Sequence, residues 1–379
     1  MRRTSPTLGA TGAPLTEAVA EPTVTGPIVT GPTGAEATGE GTSDRASDRP
    51  IVIAHRGASG YRPEHTLESY RLAIRMGADF IEPDLVATRD GVLVARHENE
   101  ISGTTDVATH RKFADRRTTK TIDGVSVTGW FTEDFTLAEL RTLRTKERLP
   151  QVRGTNTTYD GRFEVPTLQE IIDLARSEGR ARGRTIGIYP ETKHPSYFAS
   201  IGLPLEKPLV QVLQDNGLTR KSSPVVIQSF ETANLRELSR LIDVRLVQLL
   251  DTTGRPYDFT VSGDARTYPD LASPAGLNWI ARYADGIGPN KDLVVPRDAA
   301  GNLLAPTEVV RDAHREGLVV HAWTFRAENR FLPVDFRTGA DPNAHGDIIS
   351  EYELFFRLGL DGVFADQPDT AVATRAGLT

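Results

Sequence analysis

The 379-residue chain contains no cysteine. Disulfides and thiolate metal sites are therefore excluded, although that absence does not fix the compartment. No apolar run approaches the roughly 18 residues that a membrane-spanning helix needs, so no stable membrane insertion is expected. Positive charge is also short: 44 Lys and Arg stand against 51 Asp and Glu, for a net charge of −7. A nucleic-acid or anionic-membrane binder needs a basic field, so no nucleic-acid partner is expected. Residues 1–49 lack any aromatic residue and any sustained hydrophobic period, and are rich in Thr, Gly, Pro, Ala and Glu. Such a composition cannot bury enough apolar surface to offset chain entropy, so a disordered tail is expected there. Its opening Met-Arg-Arg is like the basic part of a signal peptide, but the apolar stretch of about 7–15 residues that should follow is missing. A tail whose secretion signal has been removed and a cytoplasmic leader both stay open.

What is present begins at Ile51, where short β-rich runs start to alternate with helical patterns. Candidate strands are Ile51–Ala54, Asp79–Leu85, Thr185–Tyr189, Val225–Gln228, Val244–Leu249, Ala284–Ile287, Val319–Ala322 and Gly362–Ala365. Between them, Leu67, Tyr70 and Ile74 run at helical spacing into Gly77, and Thr167 with Glu170 forms a capping box. Further helical patterns cover Leu205–Asn216, Glu231–Leu241, Thr307–Glu316 and Ser350–Leu358. Eight strands each followed by a helix predict an α/β fold, a (β/α)₈ TIM barrel over residues 50–379. A doubly wound open sheet has the same periodicity. The polar stretch at about 100–161 breaks the alternation and reads as one long insertion after the second strand, irregular apart from a short helix capped by Thr136 and Glu139.

The polar residues favour the barrel, because they gather where its chemistry sits, at strand C-terminal ends. His55 and Arg56 follow the first strand. Glu82 and Asp84, two apart, point to one face of the second. His97 follows the run Gly-Val-Leu-Val-Ala-Arg, and Glu191 and Lys193 follow the third strand. Gln228, Trp323 and Asp366 close later ones. Three carboxylates brought together repel unless a cation offsets them. Without cysteine the set suits a hard divalent ion, Mg²⁺ or Ca²⁺. Arg56 and Lys193 are donors for an oxyanion, and two histidines suit proton transfer near neutral pH. Together these point to attack on a phosphate ester. In the opening turn, Gly57 lets the backbone approach closely.

The segments "HRGASGYRPEHTLESY", "GADFIEPDLVATRDGVLVARHE", "YPETKH", "QSF" and "GLDGVFADQPD", in that order, resemble the glycerophosphodiester phosphodiesterase family. The resemblance implies a (β/α)₈ barrel and metal-dependent hydrolysis of small glycerophosphodiesters to an alcohol and sn-glycerol 3-phosphate. It also implies roles. His55 and His97 would be the acid–base pair, and Glu82, Asp84 and Glu191 would hold the metal. Arg56 and Lys193 would contact the phosphate. A variant mechanism, in which a glycerol hydroxyl attacks first to give a cyclic phosphate, is not excluded. The insertion resembles an exported subgroup that commonly uses Ca²⁺. One divalent ion is therefore expected, Ca²⁺ ahead of Mg²⁺, in a secreted or extracytoplasmic protein, with a cytoplasmic one left open.

Plainer readings stand beside these. His65 sits at a helix start, where capping and orientation outweigh catalysis, and Glu64 supports the site from behind as a minority reading. Trp323 is either core or a wall for substrate. Gln228 either bonds a site carboxylate or satisfies backbone. Phe230 either lines the pocket or, as an aromatic before a helix more often does, packs in the core, and Arg62 reads as a solvated loop residue. His110, His194, His314 and His345 carry no functional claim. Two alternative functions were weighed. A phospholipase D-like or sphingomyelinase-type lipid hydrolase would need an apolar rim, for which Trp130, Phe131 and Phe135 are candidates. A non-catalytic glycerophosphate-binding barrel would lack a histidine or a metal carboxylate, and none is missing.

Overall fold

The computed structural model describes residues 49–378. The expected tail, except for Arg49, lies outside the described residues. The first strand is Ile51–His55. The second runs in two pieces, Phe80–Glu82 and Asp84–Ala87, separated by Pro83. The third is likewise split, into Gly187–Ile188 and Glu191–Thr192, with Pro190 between. Val226–Ser229, Arg245–Leu250 and Gly286–Pro289 follow. Val319–Phe325 and Gly362–Ala365 complete the set.

Each strand pairs in parallel with the next. Ile51–Ala54 then pair with Gly362–Ala365 and close the ring. The fold is a (β/α)₈ barrel, and the open sheet is ruled out by that closure. The two prolines explain why single expected strands appear broken. Proline has no N–H to give to the ladder. Their carbonyls still accept, Pro83 from Glu191 N and Pro190 from Gln228 N, both at 2.9 Å.

Helices form where the caps predict. Thr66 caps Leu67–Arg75, and Thr167 with Glu170 closes a capping box on Leu168–Arg182. No helix among the described residues is long and apolar enough to cross a membrane.

Inside the barrel, Ile53, Phe80, Tyr189, Val226, Val247 and Phe364 pack as a separate apolar cluster, apart from the larger core beneath the helices. In a strand the side chain two residues on shares the same face. Two residues beyond that plug stand His55, Glu82, Glu191, Gln228, Leu249 and Asp366. The plug thus lifts a polar layer to the mouth.

The insertion is more ordered than its polarity predicts. Thr118–Ile122 and Val125–Gly129 form an antiparallel hairpin. Its turn, Asp123-Gly124, has positive φ at both residues, 47° and 81°, the geometry that Asp-Gly favours in a two-residue hairpin loop. Trp130, Phe131 and Phe135, the candidates for an exposed rim, are buried at 8%, 0% and 0% exposure. Trp130 Nε1 donates to Phe113 O at 2.6 Å. These aromatics belong to the large core that the insertion shares with the barrel, which corrects the lipid-facing reading.

Gly187 lies on the inward face beside Phe80. A Cβ there would sit 2.1 Å from the Phe80 ring. Gly187→Val is expected to destabilise the barrel by about 1–3 kcal/mol, as overpacked cores do. A thermal melt with unchanged Tm would mean that Phe80 does not fill the barrel as described.

Candidate active site

The first strand ends in a tight turn that aims two side chains in different directions. Arg56 has φ 61° and Gly57 φ 87°. A Cβ on Gly57 would lie 2.7 Å from the Ser69 backbone, so only glycine fits. The turn leaves the Arg56 amide to donate to Glu82 Oε2 at 2.7 Å. Its guanidinium bonds Glu64 at 3.0 Å and approaches Asp84 at 3.5 Å.

Glu82, Asp84 and Glu191 each bring an oxygen into a cluster within 4.8 Å, all three buried. Gln228 Nε2 donates to Glu82 Oε1 at 3.0 Å, one of the two readings open for it. His65, fully buried, bonds Asp84 Oδ2 at 2.9 Å and Tyr70 Oη at 2.7 Å. It orients a carboxylate rather than facing the cavity. Burial and the charges of Asp84 and Glu191 push Glu82 well above the usual carboxylate range. Burial raises Glu191 to about 8, against the pull of Lys193 at 2.9 Å. Asp84 goes the other way: burial opposes its charge, but His65 and Lys193 hold it well below the usual range. No nitrogen or hydroxyl donor reaches Asp84 Oδ1, and Glu191 bonds Asp84 only when protonated. All-oxygen donors, an orphaned buried oxygen and carboxylates that take up protons for want of a cation all fit a hard divalent ion.

The cluster opens into a cavity of about 410 Å³. His55, Arg56, Glu82, His97, Glu191, Lys193 and Trp323 line it together, so the residues expected there converge, and Asp84 lies buried beneath. Trp323 donates to Gly288 O at 2.7 Å and meets Phe230 edge to face, which makes both walls of the cavity. Phe230 is therefore not simply core. The cavity also takes Arg148, Asp251 and Arg326, which the sequence reading did not single out. Asp251 and Arg326 obey the strand-end rule and were readable by it. Arg148, from the insertion, carried no signal; it bonds Glu64 at 2.6 Å.

Residues 55–370 match the family described as glycerophosphoryl diester phosphodiesterases. The chain belongs to that family. With it comes an enzyme class, the phosphodiester hydrolases. The chain is 37% identical over 335 residues to a glycerophosphodiester phosphodiesterase of Arabidopsis thaliana, covering 84% of each. It is 30% identical over 350 residues to one of Haemophilus influenzae, covering 86% of this chain and 90% of that one. Among solved structures, a phosphodiesterase from Oleispira antarctica, in complex with the product sn-glycerol-3-phosphate, is similar with a TM-score of 0.56 at 20% identity, covering 86% of this chain and 96% of that one. A glycerophosphoryl diester phosphodiesterase from Parabacteroides distasonis has a TM-score of 0.51 at 19% identity, covering 88% and 89%. At these identities the likeness to the solved structures is one of fold.

In this phosphodiesterase-family site both imidazoles turn Nδ1 toward a carboxylate, His55 in a hydrogen bond and His97 in a close ion-pair contact. His55 reaches Asp366 at 2.6 Å and His97 reaches Glu98 at 2.8 Å. Burial, then the charge of Arg56, brings His55 down to about 4. Burial, then Arg56 and Lys193, bring His97 down to about 3. In the free protein both rings are neutral at pH 7.

Glu191 titrates at 4.5 in an ordinary setting and at about 8 here. A raised carboxyl pKa means that the folded state holds the proton longer, so this group's contribution to stability declines as pH rises from about 4.5 to 8. A divalent ion held by Glu191 would have to displace that proton. Calorimetric titration of the metal-free protein with Ca²⁺ at pH 7, in buffers of different ionisation enthalpy, should show net proton release. Binding without release would contradict the protonated state assigned to Glu191.

Proposed function

We propose that the protein hydrolyses small glycerophosphodiesters to an alcohol and sn-glycerol 3-phosphate, using one divalent cation held by Glu82, Asp84 and Glu191. The observation that carries this is the cluster of three buried carboxylates within 4.8 Å, beside two cationic side chains and two carboxylate-bound imidazoles in one cavity. A similar fold in complex with sn-glycerol-3-phosphate supports the product side.

When bound, the cation would polarise the phosphoryl oxygens and offset the charge that builds up as the ester bond breaks. Arg56 and Lys193 hold the phosphate and orient it for in-line attack. One of His55 and His97 takes the proton of the attacking water through its Nε2. The other gives a proton to the departing alkoxide as the P–O bond breaks. In the free protein burial, with Arg56 beside both rings and Lys193 beside His97, keeps both rings neutral. A phosphodiester anion seated on those cations removes much of that positive field, so one ring then gains its proton. Phe230 and Trp323 face the carbon part of the substrate. Calcium is the ion of choice in this reading, since it accepts six to eight oxygens and leaves positions for substrate hydroxyls. A calcium-dependent enzyme also suits an extracytoplasmic location, where that ion is abundant.

Protein stripped with EDTA should release no glycerol 3-phosphate from glycerophosphocholine, and Ca²⁺ should restore release better than Mg²⁺. Full turnover after stripping would sink the metal-dependent reading. His55→Ala and His97→Ala should each lower kcat by about 10²–10⁴-fold, the span of a general acid–base step. Losses of only a few-fold in both would make these histidines structural.

A further inference from the structure

Behind each imidazole stand a carboxylate and then a basic side chain, and each chain of contacts reaches the insertion. Asp366 accepts from His55 through Oδ1, and its Oδ2 accepts from Arg153 at 2.6 Å and Arg326 at 3.0 Å. Arg153 comes from the insertion and is buried. It is fixed on its other sides by Glu328 at 2.6 Å and by Ser59 O at 3.0 Å. Behind His97, Glu98 sets Oε1 2.8 Å from the ring Nδ1 and through Oε2 accepts from His194 Nε2 at 3.1 Å. His194 Nδ1 in turn bonds Asp123, at the tip of the insertion's hairpin, at 2.5 Å.

Glu98 is half-exposed, with 51% of its side chain accessible. A carboxylate so placed keeps one rotamer only if a second partner holds it. His194 supplies that hold from a left-handed backbone, φ 48°, a conformation costly for a non-glycine residue and kept only where its surroundings impose it. Burial would lower the His194 ring, but Asp123 and Glu98 raise it to about 9, so both nitrogens carry protons at neutral pH.

We propose that the insertion is a positioning device for both imidazoles: Arg153 through Asp366, and Asp123 through His194 and Glu98, fix the proton on Nδ1 of His55 and of His97 and leave each Nε2 as the basic nitrogen. An ionised carboxylate only accepts, so the ring nitrogen facing it must carry the proton. His97 Nε2 lies 3.4 Å from Lys193 Nζ, a donor, which favours the same tautomer. The roles of Arg153 and Asp123 rest on the reading of His55 and His97 as the proton-transfer pair; the tautomers themselves do not.

Ring-nitrogen NMR of the free, histidine-labelled full chain tests this without relying on activity. Wild type should show His55 and His97 as Nδ1–H tautomers. Arg153→Met should move the His55 signals toward a tautomer mixture and leave those of His97 in place. Asp123→Ala, a partly buried change at the hairpin tip, outside the barrel core, should do the reverse. On glycerophosphocholine each variant should lose about 10–100-fold in kcat with little change in KM, the size seen for partners behind a site ligand. Wild-type tautomers in both variants would overturn the proposal. Shifted tautomers in a protein that never hydrolyses glycerophosphodiesters would uphold the positioning and reject only the proposed function.

Discussion

Glu82, Asp84 and Glu191 repel one another in a place where water screens them poorly. Much of the structure around the barrel mouth answers that repulsion. Lys193 stands against Glu191, His65 against Asp84, and Gln228 and the Arg56 amide against Glu82. Arg56 is shared between Asp84 and Glu64, and Glu64 is shared with Arg148. Along the line Arg56–Glu64–Arg148, charge alternates outward from the centre. Glu82 and Glu191 are still pushed above the usual carboxylate range, chiefly by burial. The protein alone undercompensates the cluster, which is the condition for binding a metal ion rather than merely tolerating buried acids.

The apolar plug inside the barrel is the other half of that arrangement. Ile53, Phe80, Tyr189, Val226, Val247 and Phe364 exclude water from below and set the height at which the polar layer begins. Because side chains alternate along a strand, the residue two places beyond each plug member faces the same interior. That period of two is why the barrel strands and the polar set at their ends could be read from one sequence. The same rule extends to Asp251 and Arg326, whose place at the ends of the fifth and seventh strands is as plain as that of Gln228.

The rest could not be read because it depends on distance across the fold rather than on spacing along the chain. Nothing local marks Arg153 as the partner of Asp366, or Arg148 as the partner of Glu64. His194 looked idle because its partners, Glu98 and Asp123, come from different parts of the chain. The insertion hairpin did have a signal, an Asp-Gly pair between alternating Thr and Val residues, outweighed there by overall polarity. Trp130, Phe131 and Phe135 misled in the opposite sense. Apolar residues among charges read as an exposed rim, yet the insertion folds them into the main core. The splits at Pro83 and Pro190 were written in the sequence, yet both strands continue past them because the proline carbonyls still accept.

His55 and Asp366 are bonded across 311 residues of chain, one at the end of the first strand and the other just past the eighth. A ribosome adding about 5–20 residues per second would need roughly 15–60 seconds to get from one to the other. Throughout that interval His55 lacks its Asp366 partner, and the ring of strands has no seam to close. The polar layer at the barrel mouth is therefore completed only with the last strand.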